Sequence, residues 1–119
     1  VLLGVGGTPE AVLAACGLRA LRGGFQGNLW PRHDLDRQNA LEAGYELDKV
    51  LTLDDLVSSD DTFFVATGIS DGPLLDGVSY SDGFAHTYSL VARGQTATVR
   101  EIIAHHHLGT LTQISEIVY

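Results

Sequence analysis

The run Gly4-Val5-Gly6-Gly7-Thr8-Pro9-Glu10 joins adjacent glycines, a helix-start signal and a carboxylate at the point where the apolar Val1-Leu2-Leu3 reads as the end of a buried strand. Thr8 is expected to cap the helix with its side chain. Pro9 is expected at the first helical position, where a missing N–H costs nothing. Glu10 then falls in the first turn. A helix N-terminus presents unpaired N–H groups and the positive end of its dipole, so it attracts phosphate, and a carboxylate beside it can hold a divalent cation that the phosphate shares. The spacing supports a metal-assisted phosphate site; a glycine-rich turn kept only for tight packing is the plainer reading. A dinucleotide fingerprint fits poorly, because its third glycine would fall on Pro9 and no acidic residue follows at the usual distance of about 20 residues. A nucleotide-binding P-loop is excluded by the lack of a following Gly-Lys-Ser/Thr.

Other chemistry-bearing residues read more plainly. His105-His106-His107 is consecutive, and on a strand consecutive side chains alternate faces, so His106 points away from the other two and the three cannot meet one ion. They are expected as partly exposed strand-end residues, with His106 free to make a specific hydrogen bond. The pairs Asp54-Asp55 and Asp60-Asp61 are expected as solvated charges, since neighbouring carboxylates diverge. Asp71, between Ser70 and Gly72 after an apolar run, lies where ligand crevices form in α/β sheets, although turn geometry explains Ser-Asp-Gly as well. No Ser/His/Asp or Cys/His arrangement stands out.

Positioning these residues requires a set of elements. Glu10 to Leu21 is apolar on nearly every side and predicts a buried helix stopped by Gly23-Gly24. Phe25 to Trp30 predicts a short strand closed by Pro31, and Asp34 to Ala43 an exposed helix ended by Gly44, giving an early β-α-β-α order. Val50-Leu51 predicts a brief strand, with Thr52 capping a single turn to Val57. Thr62 to Thr67 is continuously apolar and β-prone, the pattern of a central strand covered on both faces. After a loop over Gly68 to Pro73, Phe84 to Ala92 and Thr96 to His107 alternate around Arg93-Gly94-Gln95 as an antiparallel hairpin would, with Phe84, His86, Tyr88 and Leu90 on one face. The segment Leu111 to Tyr119 is ambiguous. The fold class is therefore α/β, a mixed sheet with helices early and a hairpin late.

The 119 residues suit one domain, and 45% hydrophobic content fits a globular protein. With 15 acidic against 7 basic residues and a net charge of -8, nucleic acid and anionic membrane are disfavoured as partners. An anionic ligand must then be met by metal or by a helix dipole. Cys16, the single cysteine, is expected as a buried inert thiol in a reducing compartment. No apolar run reaches a membrane-span length and no basic leader precedes Val1, so a cytoplasmic location is expected. The absence of methionine and the opening on half a strand suggest a fragment.

The chain resembles class II fructose-1,6-bisphosphatase, in its C-terminal part. Gly6-Gly7-Thr8-Pro9-Glu10, Arg37-Gln38, Ala43 to Thr52, Phe63-Phe64-Val65-Ala66-Thr67-Gly68-Ile69-Ser70-Asp71-Gly72 and Thr98-Val99-Arg100 carry the likeness, in order along almost the whole chain. The resemblance implies a C-terminal α/β domain of the metal-dependent sugar phosphatase fold, and hydrolysis of the 1-phosphate of fructose 1,6-bisphosphate with Mg²⁺ or Mn²⁺. Sedoheptulose 1,7-bisphosphate is a substrate in some lineages. Residue by residue, it implies Glu10 as a metal ligand, Gly7 as a backbone contact to substrate, and Gly6 and Thr8 as parts of the same wall. The remaining metal carboxylates, the threonine associated with water activation and the phosphate-gripping cations lie upstream in the family. The resemblance therefore implies a missing N-terminal domain and an inactive isolated segment. Ala11, where the family commonly has glycine, and His105 and His107 depart from its pattern. The rival reading is a non-catalytic module for binding sugar phosphate, or for homo-oligomer contacts that cover exposed sheet edges.

Overall fold

Small residues on one side of the first helix decide where the sheet can lie. The computed structural model describes residues 1 and 3–115. They run as α1 (Thr8–Ala20), β1 (Gln26–Gly27), α2 (Asp34–Glu42), β2 (Leu51–Thr52), α3 (Leu53–Leu56), β3 (Phe63–Thr67), β4 (Ser79–Ser81), β5 (Phe84–Arg93), β6 (Thr98–His107) and α4 (Leu108–Ile114). The α/β class, the early alternation of helices with short strands and the late hairpin agree with the sequence. All strand pairings among the described residues are antiparallel, in a two-stranded ribbon of β1 with β2 and a four-stranded sheet. The early β-α-β-α order favours some parallel pairing, but β1 and β2 are two residues each, and α2, with no buried residue, packs on no sheet as a crossover helix would.

The hairpin organises the larger sheet. β5 pairs along its whole length with β6, from Phe84↔His107 to Arg93↔Thr98, and on its other side with β3 and β4 laid end to end. The central strand is therefore β5. The apolar run at Phe63–Thr67 forms a lateral strand, with only its even-numbered side partly covered. Phe64↔Ala92 and Ala66↔Leu90 share one face. α1 lies on it, burying Ala15, Gly17 and Ala20, and Phe64 and Leu75 pack against a core of Ala20, Leu90 and Ala92. The opposite face leaves Phe63 62% and Val65 64% exposed, with the Arg93 guanidinium 5.2 Å above the Phe63 ring centre. Continuous hydrophobicity there signals a face that no described helix covers.

Local departures have local causes. Val1 and Leu3 lie in no strand and are exposed, and Leu2, the middle of the expected strand, lies outside the described residues. The N-cap of α1 is Gly7, with no side-chain cap, so Thr8 and Pro9 occupy the first two helical positions, one place later than expected. The helix closes before Gly23-Gly24: Arg22 takes the positive φ of 59°, and the Gly23 N–H reaches Leu18 O at 2.7 Å. Gly23 serves that close approach, because a Cβ there would lie 2.8 Å from the Leu18 side chain. The Phe25–Trp30 strand shrinks to Gln26–Gly27, which pairs with Leu51–Thr52, one residue beyond the expected Val50-Leu51. α2 ends as expected, with Gly44 at φ 83° and Tyr45 N–H bonded to Ala40 O at 3.0 Å. Cys16 is half-buried rather than fully so. Leu111–Ile114 falls in α4, whereas the rest of that expected tail, residues 116–119, lies outside the described residues.

A Cβ on Gly17 would sit 3.0–3.2 Å from the Phe64 ring. Gly17→Leu should therefore lower stability in urea titration by about 1–3 kcal/mol through overpacking. Gly17→Ala should change it by less than about 1 kcal/mol, because helix propensity offsets the contact. Equal, near-zero effects would contradict the packing of α1 on β3.

Candidate functional site

Glu10 occupies the third position of α1, in its first turn. The first helical hydrogen bond runs from Ala11 N–H to Gly7 O at 3.1 Å. The N–H groups of Thr8 and Glu10 are therefore among the orphan donors of a helix start, while Pro9 has none to offer. The carboxylate folds back over the glycine: a Cβ on Gly7 would collide with Glu10 Oε2, and one on Gly6 would lie 3.6 Å from Glu10 Cβ. Gly6, Gly7, Thr8 and Glu10 are all exposed. Among the described residues Glu10 has no ion pair or side-chain hydrogen bond. Its donor chemistry suits Mg²⁺ or Mn²⁺, hard ions that take carboxylate oxygen. No group of three His, Cys, Asp or Glu side chains converges among the described residues, so Glu10 stands among them as a lone candidate ligand and not as part of a complete centre.

The other candidates have structural work. Asp71 Oδ1 accepts from Gly77 N–H at 2.9 Å and folds the loop after β3 onto itself. His106 does point opposite its neighbours, with Nε2 3.0 Å from the Thr87 hydroxyl. His107 is the N-cap of α4, where Nδ1 accepts from Thr110 N–H at 3.1 Å. His105 meets His86 across the hairpin, so Phe84, His86, Tyr88 and Leu90 share a face as predicted, opposite His107, His105, Ile103 and Glu101. No helix of the described residues is long and apolar enough to cross a membrane.

The family profile described as "Bacterial fructose-1,6-bisphosphatase, glpX-encoded" matches residues 1–106. The chain belongs to this family. It is 37% identical, over 98% of its length, to a fructose-1,6-bisphosphatase class 2 of Haemophilus influenzae, covering 39% of that protein. It is 40% identical, over 91% of its length, to a fructose-1,6-bisphosphatase 1 class 2 of Escherichia coli K12, covering 36% of it. The chain thus spans well under half the length of these relatives.

Sequence reasoning missed the ion pairs that position α1 in this family member. The acidic pairs are not simply solvated. Arg19, near the end of α1, donates to Asp54, to Asp60 at 3.0 Å and to Val57 O at 2.6 Å. Asp61 lies 3.6 Å from Arg93. The Arg19 side chain is 15% exposed while Asp54 and Asp60 are 87% and 76% exposed, so the arginine is the enclosed partner. The Asp54 hydrogen bond, followed by Asp60 and opposed by desolvation, holds the guanidinium above its ordinary value. A lone cation in an otherwise apolar helix was the available signal, because buried charge needs partners. Asp55 accepts from Lys49 Nζ at 2.7 Å and from the Thr52 N–H and hydroxyl at 2.8 and 3.0 Å, closing the predicted cap of α3. The Lys49 bond first, then the two Thr52 bonds, pull the Asp55 carboxyl from 3.8 down to about 2.

A depressed carboxylate stabilises the fold above its unfolded pKa, and that contribution disappears as pH falls through the folded value. The window therefore runs from about pH 4 to about pH 2. Asp55→Asn should lower the melting midpoint at pH 5 and shrink the difference between pH 5 and pH 2. An unchanged acid limb would show that Asp55 does not anchor this turn.

Proposed function

We propose that this chain is the C-terminal α/β domain of a class II fructose-1,6-bisphosphatase, and that it brings one metal carboxylate and one helix N-terminus to a site completed by the remainder of the fold. The observation that carries the reading is Glu10: exposed, without a cation partner among the described residues, and folded against Gly7 at the start of a helix that is itself fixed on the sheet. Family membership and the share of each relative that is matched agree with it. The substrate is a sugar bisphosphate, fructose 1,6-bisphosphate first and sedoheptulose 1,7-bisphosphate as a further candidate.

Each part has a defined task. Glu10 donates one oxygen to Mg²⁺ or Mn²⁺, which when bound polarises the phosphate and lowers the pKa of water. Gly6 and Gly7, lacking side chains, let substrate approach the backbone. The orphan N–H groups of the first turn, Thr8 among them, face phosphate oxygens. A neighbouring domain, or a second copy in a homo-oligomer, covers the apolar sheet face at Phe63 and Val65. The enzyme works in the cytoplasm. The rival, a non-catalytic module, would bind sugar phosphates without regard to metal.

The chain alone, with Mn²⁺ or Mg²⁺ and fructose 1,6-bisphosphate, should release no phosphate above the blank. Joined to the preceding portion of the Haemophilus influenzae relative, it should hydrolyse the substrate. Glu10→Gln in that chimera should then reduce turnover by roughly a hundredfold or more. Full activity from the chain alone, or a chimera that tolerates Glu10→Gln, would overturn the proposal. Circular dichroism of the variant separates lost chemistry from lost folding.

A further inference from the structure

The hairpin sets His86 directly opposite His105. Their rings meet edge to face, with centroids 4.8 Å apart and planes at 75°, and the two Nδ1 atoms are 2.6 Å apart. On its far side His86 Nε2 lies 2.8 Å from the Ser81 hydroxyl, contributed by β4. When Nε2–H donates to Ser81, Nδ1 of His86 keeps its lone pair, aimed at the space that His105 shares. Metal-binding histidines are oriented in this manner, with the outer nitrogen held by a protein acceptor and the inner one left free.

We propose that His86 and His105 form a two-histidine chelate for a borderline divalent transition-metal ion, such as Zn²⁺, Ni²⁺ or Cu²⁺, as a site separate from Glu10. Without metal, a single proton lies between the two Nδ1 atoms. Binding requires that proton to move to Nε2 of His105, the other neutral tautomer, so that both Nδ1 lone pairs face the ion. Metal–nitrogen bonds of about 2.0–2.1 Å in tetrahedral geometry need the nitrogens roughly 3.3 Å apart, a small rotation of two side chains that are not fully buried. His107, on the same face, is committed to capping α4, and His106 faces Thr87. No third protein ligand converges among the described residues, so water fills the remaining positions. Imidazole selects these ions over Mg²⁺, which prefers oxygen, so the chelate and the Glu10 carboxylate differ in the metal they take.

The test is titration of the whole chain with Zn²⁺ at pH 7.5, followed through the imidazole nitrogen resonances of its five histidines. The signals of His86 and His105 should move together and saturate at one equivalent, before those of His33, His106 and His107. Affinity should follow Cu²⁺ above Ni²⁺ above Mn²⁺, with no response to Mg²⁺. His105→Ala should weaken Zn²⁺ binding at least about tenfold. Ser81→Ala, which leaves both ligands in place, should weaken it by about tenfold through loss of ring orientation. Uniform perturbation of all five histidines, or Zn²⁺ affinity unchanged in either variant, would overturn the proposal.

Discussion

The fold depends on how closely α1 can approach the sheet. Gly17 faces the Phe64 ring, and Ala15 and Ala20, both buried, flank it along the helix. Small residues at these places let a helix rest on strands whose own buried residues, Leu90 and Ala92, leave little room. Arg19 then fixes the C-terminal end of the helix through Asp54, Asp60 and the Val57 carbonyl. The N-terminal end, with Gly7 and Glu10, is held by the same rigid body although none of its own residues is buried. A carboxylate on an exposed first turn keeps a fixed direction only if the rest of the helix cannot move.

That anchoring is modest for a chain of this length. The buried hydrophobic residues among those described are Ala15, Ala20, Val57, Ala85, Leu90 and Ala92, of which four are alanines with little apolar surface to bury. The radius of gyration is 18.9 Å, against about 13–14 Å for a compact domain of similar length. Exposed apolar side chains are spread over the N-terminal segment, both early helices and the loops, and the outer face of the sheet carries Phe63, Val65, Tyr80 and Ile102 among them. An extended sheet with one covered face suits a part that works against something else, in line with the proposed division of labour.

The hairpin and the second helix were legible because their signals are local. Alternation from Phe84 to His107 is period-two patterning, and Gly44 after a polar helical run is a stop signal. Thr52 and Asp55 form a cap within four residues. What could not be read is what depends on distant partners. The Phe63–Thr67 run has the composition of a strand buried on both sides, yet its neighbours leave one side uncovered, so composition placed it mid-sheet and pairing placed it beside β5. Asp54 and Asp60 sit 35 and 41 residues from Arg19, a separation at which sequence spacing carries no information. At the candidate site, the spacing of glycines and glutamate was enough to propose a phosphate motif. The fold of the carboxylate over Gly7, and its freedom from ion pairs, required coordinates.

The central claim is that Glu10 ligates the catalytic ion beside the Gly6-Gly7 backbone, and paramagnetic relaxation by Mn²⁺ tests it most directly. With the chain isotopically labelled and joined to the preceding portion of a relative, stoichiometric Mn²⁺ should broaden the amide signals of Gly6, Gly7, Thr8 and Glu10 first, and Glu10→Gln should abolish that broadening. Relaxation confined to other residues, with the α1 N-terminus unaffected, would contradict the account.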